Sequence, residues 1–478
     1  MEALATQLIH ALERGETDAS VLRASGAAEP DLAAVTFREA AGHPDLAGTM
    51  HLWVPALLGS ARPDSGARAL RDLAARRRAL GPAPLDLKRH PILPRLLGCS
   101  GFLARLLLRH PAWIDDLDGP MPDAPAPDPI AASWAAIRDA KYRALLRVAG
   151  RDLAGRPFVA GLRELSDLAD RCLVAALACA SSETQVAPPA LLALGKLGGR
   201  ELNFSSDVDL LFLHDAPADV DPLEHNHAAQ RLIRHLKNKL EEPTEEGFGY
   251  RVDLDLRPEG PSGVLANSVD AALTYYETWG AEWERQMLIR LRPVAGPPRI
   301  AAAFAEAITP FVYRRLIDPS MMRSVRDMKS RIEEERRRAG RDLEADLKEG
   351  PGGIRDVEFL AQSFQLFFGG KHHELRTGNV LETLNALEEL ELLPVGTSRV
   401  LAESYVWLRR AEHALQMAEE QQTSRFPRDA SAQLGLARRM GYEAAEGKRA
   451  RERLLDDWTR VRSEVRAHFD ALVLRGEP

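Results

Sequence analysis

The residues best suited to chemistry lie at 194–213, where a glycine-rich turn precedes two aspartates. Asp207 and Asp209 bracket one apolar residue at the start of an apolar run. Side chains alternate across a β-strand, so both carboxylates would project from the same face. Two neighbouring carboxylates repel each other, and a divalent cation relieves that repulsion. The spacing therefore predicts a metal-binding pair that acts on the phosphate groups of a nucleotide.

A second acidic segment could complete such a site. Residues 250–257 alternate polar and apolar side chains, which predicts a half-buried strand with Arg251, Asp253 and Asp255 on one face. If this strand pairs beside the first, Asp253 joins the other two aspartates as a third metal ligand. Paired cations about 3.5–4 Å apart can clamp both the attacking and the leaving oxygen of a displacement. The two segments together favour a metal site over a solvated strand end, which a lone Asp-x-Asp more often marks.

The glycine turn before the aspartates is the candidate phosphate cradle. Backbone N–H groups in such a turn can bind phosphate oxygens. Lys196 and Arg200 flank the turn and could also meet phosphate, although either could equally be a surface charge. The candidate nucleotide-binding residues are Lys196, Gly198, Gly199, Arg200, Ser206 and Arg251.

Composition bounds the class of protein. The chain has 478 residues, 45% hydrophobic and 28% charged, which is typical of a globular protein with room for about three domains. The net charge of −7 provides no general attraction to nucleic acid or anionic lipid. No apolar run has membrane-spanning length, and the first residues lack the pattern of a signal peptide. Three cysteines without metal-type spacing fit a reducing cytoplasm. We therefore expect a cytoplasmic protein that binds neither nucleic acid nor membrane.

The hydrophobic pattern predicts which elements position the acidic residues. Residues 190–194, 207–213 and 250–256 are expected to form a small sheet, with a helix at 224–242. Residues 119–129 are a proline-dense linker, and long helices are expected at 134–153 and 162–180, then around 381–393, 398–422 and 446–475. We expect an α+β, mostly helical protein with a helical N-terminal region (1–90), a catalytic domain (91–310) and a C-terminal helical bundle (311–478).

The motifs, taken in order, resemble the glutamine synthetase adenylyltransferase/adenylyl-removing family. The resemblance covers roughly residues 95–475. It is carried by the glycine turn with its two aspartates and by the segments Leu103–Pro111, Arg147–Leu153, Arg251–Pro258, Tyr275–Arg285, Gly352–Phe359 and Leu408–Gln416. Family members usually carry two similar catalytic halves, and Asn203-Phe204-Ser205-Ser206-Asp207 is similar to the half that removes AMP. The chain thus resembles an N-terminal half, whether an excised fragment or a natural short form.

The resemblance implies a fold, a site and a reaction. The fold would be a DNA-polymerase-β-like nucleotidyltransferase core, in which Asp207, Asp209 and Asp253 bind Mg²⁺ or Mn²⁺. Inorganic phosphate would attack the AMP phosphorus on a modified tyrosine of glutamine synthetase and release ADP. The resemblance implies glutamine synthetase as the protein substrate and the PII signal protein as a regulatory partner. The family often has a basic residue where this chain has Asp255, which changes the local charge.

Three other functions stay open at this point. The chain could add AMP to glutamine synthetase from ATP with the same carboxylates, because both reactions displace at an α-phosphorus. It could bind glutamine synthetase or PII without turnover, although all three carboxylates are present. A nucleotidyltransferase acting on nucleic acid is disfavoured by the acidic net charge.

Several further residues are secondary candidates. Arg355 and Glu358 follow a Gly-Gly turn and could either face the site or form an ion pair at a helix start. Trp283, Tyr275 and Tyr276 are expected to be packing residues rather than a surface that stacks on adenine. The histidines at 225, 227, 235, 372 and 373 are interpreted as surface residues.

Overall fold

The computed structural model describes residues 1–81, 84–118, 130–315, 334, 338, 342–443 and 449–475. The proline-dense linker at 119–129 and most of the charge-rich segment before residue 342 lie outside these residues. The chain divides into two compact units. One comprises residues 1–126, 143–161 and 409–460, and the other 127–142, 162–408 and 461–478. The division into consecutive domains at 1–90, 91–310 and 311–478 stays a prediction.

Helices dominate the described part of the chain. None of those helices is long and apolar enough to cross a membrane. Their bounds are α1 (Glu2–Glu13), α2 (Ala19–Ala24), α3 (Pro30–Ala41), α4 (Met50–Leu58), α5 (Pro63–Leu80), α6 (Leu93–Cys99), α7 (Gly101–Arg109), α8 (Trp134–Leu153), α9 (Phe158–Thr184), α10 (Gly195–Gly198), α11 (Pro222–Glu241), α12 (Val269–Trp279), α13 (Glu282–Leu288), α14 (Pro298–Val312), α15 (Ile354–Phe368), α16 (Val380–Glu389), α17 (Thr397–Glu419), α18 (Ala430–Arg439) and α19 (Ala450–Phe469).

The first unit is helical throughout its regular structure. Prolines stand at the first position of α3 and α5, where a missing N–H is tolerated. The Asp18 carboxylate accepts hydrogen bonds from the first N–H groups of α2. Trp53 is fully buried and packs against Phe37 with ring centroids 5.8 Å apart. The helical N-terminal region expected from the sequence is confirmed in its described residues.

The second unit contains a small mixed sheet. Its strands are β1 (Ala190–Ala193), β2 (Val208–His214), β3 (Val252–Asp253), β4 (Ala266–Ser268) and β5 (Arg292–Ala295). The order is β3-β2-β1-β5, and β4 also pairs with β2. The β1 strand is antiparallel to β2 and β5, whereas β2 is parallel to β3 and β4. A mostly helical α+β chain with a small mixed sheet is thus confirmed.

Apolar side chains of β1 and β2 anchor the sheet. Leu192 and Leu213 are fully buried in a cluster with Tyr276 of α12 and Phe304 of α14. Apolar residues at helical spacing along α11, such as Leu232 and its neighbours, are buried in the same way. The sheet, with helices around it, is the rigid support on which the acidic residues stand.

The predicted strand over 250–256 is wrong in its length, since β3 ends at Asp253. The Asp253 carboxylate accepts a hydrogen bond from the backbone N–H of Asp255 at 2.8 Å, which turns the chain out of the sheet. The guanidinium of Arg257 then binds three backbone carbonyls of the following loop. Consequently Asp255 does not continue the strand face. Its side chain is 67% exposed and lies 3.6 Å from Arg257.

Candidate active site

Parallel pairing of β2 and β3 places two of the predicted carboxylates side by side. Asp209 is in register with Asp253, and Val208 with Val252. Residues in register point to the same face of a sheet. Asp207 precedes β2 by one residue and, two positions from Asp209, faces the same way. All three carboxylates line one cavity of about 1040 Å³. The expected meeting of the two acidic segments is therefore confirmed.

Helix α11 holds the edge of β3 that faces away from β2. The Val252 N–H donates to Glu241 Oε1 at 2.9 Å, and the Lys237 ammonium donates to the Val252 carbonyl. Lys237 and Glu241 also pair with each other at 2.7 Å. A two-residue strand would otherwise leave these backbone groups without protein partners. The helix therefore fixes the backbone that carries Asp253.

The glycine turn forms the short helix α10 directly after β1, and Gly195 is its critical residue. Gly195 has φ of +52°, and a Cβ there would lie 2.0 Å from Asp209 Oδ2. The Leu194 N–H also donates to the Asp209 carbonyl at 2.9 Å. Only glycine allows the turn to pass this close to the carboxylate. Gly195 lines the cavity, and the sequence analysis did not include it among the site residues.

Gly198 and Gly199 have a different role from the predicted one. A Cβ on Gly198 would lie 1.9 Å from the Arg290 carbonyl oxygen, and one on Gly199 would lie 2.6 Å from that of Gly378. Neither glycine is among the residues that line the cavity. In this structure the two glycines allow close packing of backbone segments that are distant in sequence.

Of the other predicted nucleotide-binding residues, some line the cavity and others bind neighbouring protein groups. Lys196 lines the cavity. Arg200 instead pairs with Asp167 at 3.0 Å on the surface. The Ser206 hydroxyl accepts a hydrogen bond from the Asn203 N–H at 3.1 Å.

Arg251 lies beside the acidic residues without lining the main cavity. Its guanidinium donates to the backbone carbonyl of Ser205 at 2.5 Å and lies over the Phe248 ring at 5.4 Å. It borders a smaller cavity that Asp207 and Asp253 also line. This arrangement ties the loop before β2 to the residue before β3.

Four cationic side chains line the same cavity as the three carboxylates. Lys196, Arg290, Lys348 and Arg355 all line the cavity. Burial, with the charges of Asp207 and Asp253, raises the pKa of Asp209 to about 7, although Lys348 and Lys196 oppose that shift. The pKa of Arg355 is lowered, chiefly by burial. Lys348 was missed by the sequence analysis, because it is one charge within a charge-rich segment.

The carboxylates alone do not form a metal cage. Among the residues that the structure describes, no group of three or more His, Cys, Asp or Glu side chains is arranged to hold a metal ion. Carboxylate oxygens nevertheless suit Mg²⁺ and Mn²⁺. Mg²⁺ is usually bound through one or two carboxylates, with waters and substrate phosphates completing the shell. The donor set therefore fits a metal that a phosphate ligand helps to hold, and the predicted joint binding by all three stays a prediction.

Two helices supply the rest of the cavity wall. From α13 come Glu282, Trp283, Gln286 and Met287, and from α15 come Arg355, Glu358, Phe359 and Gln362. On each helix, these residues are three or four positions apart or directly adjacent, so they lie on one face of that helix. That spacing of polar residues was the available signal for the amides, which the sequence analysis missed.

The three aromatic residues expected to pack inside the protein do not behave alike. Tyr276 is buried in the core, in agreement with the expectation. Trp283 is 41% exposed and lines the cavity, so its interpretation as a packing residue was wrong. The neighbouring residues Glu284 and Arg285 point inward instead, where Arg285 donates to the carbonyls of residues 311 and 312. Burial of those two charged residues leaves Trp283 on the outer face of α13.

A buried ion-pair network fixes α15. Arg290 pairs with Glu358 at 3.0 Å and with Glu201 at 3.5 Å. The Tyr405 hydroxyl donates to Glu201 at 3.1 Å. Arg355 pairs with Glu349 at 3.3 Å, an ion pair at the start of α15 of the kind that was one of its two interpretations. Both Arg355 and Glu358 line the cavity.

Comparison with known proteins identifies the relatives of this chain. The family model of glutamate-ammonia ligase adenylyltransferase matches residues 92–307, which include all three carboxylates. A second model, that of PII-uridylyltransferase, matches residues 326–473.

Individual relatives match most of the chain. Bifunctional glutamine synthetase adenylyltransferase/adenylyl-removing enzymes of Thioalkalivibrio sulfidiphilus, Nitrosococcus oceani and Xanthomonas campestris are 38%, 36% and 38% identical to it. These matches cover 79%, 85% and 85% of the chain, but only 41%, 45% and 45% of the relatives. The chain thus spans less than half the length of these proteins. Over most of its own length, the chain is therefore similar to glutamine synthetase adenylyltransferase/adenylyl-removing enzymes.

Proposed function

We propose that the chain is a metal-dependent nucleotidyltransferase that removes AMP from an adenylylated tyrosine of glutamine synthetase. The observation that carries the proposal is the convergence of Asp207, Asp209 and Asp253 on one cavity that cations also line. The names of the relatives support glutamine synthetase as the protein substrate. The glycine turn, the acidic strand and the neighbouring acidic strand support a DNA-polymerase-β-like core.

The metal would be Mg²⁺ or Mn²⁺, held by the three aspartates together with phosphate oxygens. When bound, it would neutralise charge that develops on the transferred phosphoryl group. Asp207, Asp209 and Asp253 act as ligands in this proposal, and β2 and β3 keep them in register. Lys196 and Lys348, which line the same cavity, neutralise phosphate charge. Catalysis then consists of positioning and electrostatic stabilisation.

The proposed reaction is a phosphorolysis. An oxygen of inorganic phosphate forms a bond to the AMP phosphorus, and the bond from that phosphorus to the tyrosine oxygen breaks. The tyrosine oxygen takes up a proton, and the products are ADP and unmodified glutamine synthetase. Phosphate is already an anionic nucleophile at neutral pH, so the reaction requires no activated serine or cysteine.

The direction is supported by sequence. Asn203-Phe204-Ser205-Ser206-Asp207 resembles the AMP-removing half of the family. Addition of AMP from ATP would use the same carboxylates, and the printed names of the relatives include both activities. Two parallel assays separate them: phosphate with adenylylated glutamine synthetase, and ATP with the unmodified enzyme. We expect ADP release in the first and no label transfer in the second, and the reverse result would overturn the proposed direction.

A matched pair of variants tests the site itself. We expect Asp253→Asn and EDTA each to abolish ADP release, while Asp255→Asn keeps most of it. Both residues lie at the end of β3, but only Asp253 lines the main cavity. Full activity in Asp253→Asn would refute the assignment of the carboxylates.

PII is the second proposed partner. It is supported by the match of residues 326–473 to the PII-uridylyltransferase model. A chain that only binds these proteins would show no turnover in either assay, yet would retain complexes with glutamine synthetase or PII in analytical ultracentrifugation. Turnover that changes when PII is added would support regulation of the enzyme.

A further inference from the structure

One wall of the cavity differs in chemistry from the acidic strands. All of its aromatic and amide side chains come from α13 and α15: Trp283, Gln286, Phe359 and Gln362. We propose that Trp283, Gln286 and Gln362 form the subsite that holds the nucleobase of the adenine nucleotide. The inference rests on the proposed function, because it assigns the base of the nucleotide whose phosphates the aspartates would hold.

The two amides form a recognition pair. Gln286 Nε2 donates to Gln362 Oε1 at 2.8 Å. Gln286 is only 7% exposed, yet it lines the cavity. Within the described residues the pair makes no second side-chain hydrogen bond, so one amide oxygen and one amide N–H₂ remain for a ligand. Reversal of both amides would still present one acceptor and one donor. A buried amide paired with a half-buried one in this state favours a ligand with an adjacent donor and acceptor.

The adenine edge has that pattern. Its exocyclic amine donates, and the neighbouring ring nitrogen accepts. A pair of fixed amides can therefore bind the base with two hydrogen bonds. Phosphates and ribose lack this planar edge, so the amide pair serves no evident purpose at the phosphate end of a nucleotide.

Trp283 supplies the stacking surface. It is 41% exposed although it stands in the first turn of α13, one turn before Gln286. Met287 and Phe359 add further apolar surface to the same cavity. Indole rings stack well on nucleobases, because both have flat π-faces. An exposed indole and a hydrogen-bonded amide pair on the same cavity match a base that is stacked on one face and hydrogen-bonded along one edge.

The test separates binding of the base from binding of the phosphates. Calorimetry with Mn²⁺ compares ADP with inorganic tripolyphosphate for the full chain and for Trp283→Ala, Trp283→Phe and Gln362→Leu. We expect Trp283→Ala to weaken ADP binding by roughly 5- to 150-fold, as loss of base stacking implies, and to leave tripolyphosphate binding within about two-fold. Trp283→Phe should keep most of the affinity, whereas Gln362→Leu should lose about ten-fold.

Fluorescence provides an independent signal. ADP should quench Trp283 emission in the wild-type protein, and this part of the quenching should vanish in Trp283→Phe while binding persists. Trp279→Phe is the matched control, since Trp279 is 77% exposed, lies four residues earlier and does not line the cavity. Trp279→Phe should therefore keep the full ADP-dependent quenching of the wild-type protein.

The outcomes distinguish the subsite from the proposed function. Unchanged ADP affinity in Trp283→Ala and Gln362→Leu would overturn the subsite alone. Equal losses of ADP and tripolyphosphate affinity in folded variants would also overturn it. Failure of the wild-type protein to bind either ligand would overturn the proposed function together with the subsite. Circular dichroism and the thermal midpoint of each variant show that it is folded.

Discussion

Replacement of Asp209 by Asn should stabilise the metal-free protein while removing its response to metal. Asp209 is held among other negative charges, and its pKa is raised from 3.8 to about 7, first by burial and then by Asp207 and Asp253. The folded protein thus binds the proton of this carboxyl more tightly than the unfolded chain does. The stabilisation of the folded protein by the protonated Asp209 carboxyl is fully present below pH 3.8. It is lost as the pH rises through about 7.

The size of the effect follows from the shift in pKa. Each pKa unit corresponds to about 1.36 kcal/mol, so the roughly three-unit shift amounts to up to about 4 kcal/mol at pH 8. Asn has the shape of Asp without the charge, and it keeps the close fit against Gly195. We therefore expect the metal-free Asp209→Asn variant to be more stable than the wild type at pH 8, by up to about 4 kcal/mol. The difference should shrink to less than half at pH 5.

The assay is thermal unfolding at pH 5 and pH 8 with EDTA or with Mn²⁺. Two compact units need not unfold together, so midpoints rather than a single free energy are compared. Mn²⁺ should raise the midpoint of the wild type at pH 8 and should barely affect the variant. Asp255→Asn is the control, since an exposed carboxylate should change stability by no more than about 0.5 kcal/mol. A metal-free variant that is less stable than the wild type at pH 8 would refute the electrostatic argument.

Three further perturbations test how the site is built. Gly195→Ala should lower turnover at least ten-fold without unfolding the protein, because the new Cβ would displace the Asp209 carboxylate. Kinetics would measure the loss and circular dichroism would show that the variant is folded, whereas normal turnover would contradict the prediction. Arg290→Met should destabilise the protein by about 3–5 kcal/mol, because it removes the cation that pairs with Glu201 and Glu358. Arg299→Met, which breaks an exposed ion pair, is the control and should change thermal stability little. Glu241→Leu should lower turnover more than it lowers thermal stability, because it frees the backbone that carries the third carboxylate; an unchanged rate would show that the strand needs no such support.

Local pattern was sufficient to predict the acidic strands. Asp207 and Asp209 were placed correctly because alternation along β2 is a property of neighbouring residues, and the helices followed from their apolar spacing in the same way. The end of β3 was not predictable from alternation, because the Asp253 side chain itself ends the strand by binding the N–H of Asp255. Asp253 thus both lines the cavity and ends the strand, and the alternating pattern indicates only the first of these roles.

Contacts between distant parts of the chain account for the remaining differences. Gly198 resembles a phosphate-binding glycine in sequence, but its close neighbour is the carbonyl of Arg290, almost a hundred residues later. Lys348 lies in a turn before α15 and Gln362 lies on α15, and both line the cavity. Nothing local in sequence distinguishes a charge that faces a site from a charge that faces water.

The balance of charge around the cavity is itself an argument for a bound cation. Five carboxylates and four cationic side chains line it, and one pair, Arg290 with Glu358, is already joined in an ion pair. With one more carboxylate than cations, this lining has no excess positive charge to offer, yet a nucleotide and inorganic phosphate each carry multiple negative charges. Binding both to these residues alone would place anions directly against Asp207, Asp209 and Asp253. Divalent cations between carboxylates and phosphates convert this repulsion into attraction on both sides. On electrostatic grounds we therefore expect the proposed reaction to depend on metal, and Asp209, whose ionisation weakens the metal-free fold, would help to make nucleotide binding depend on it.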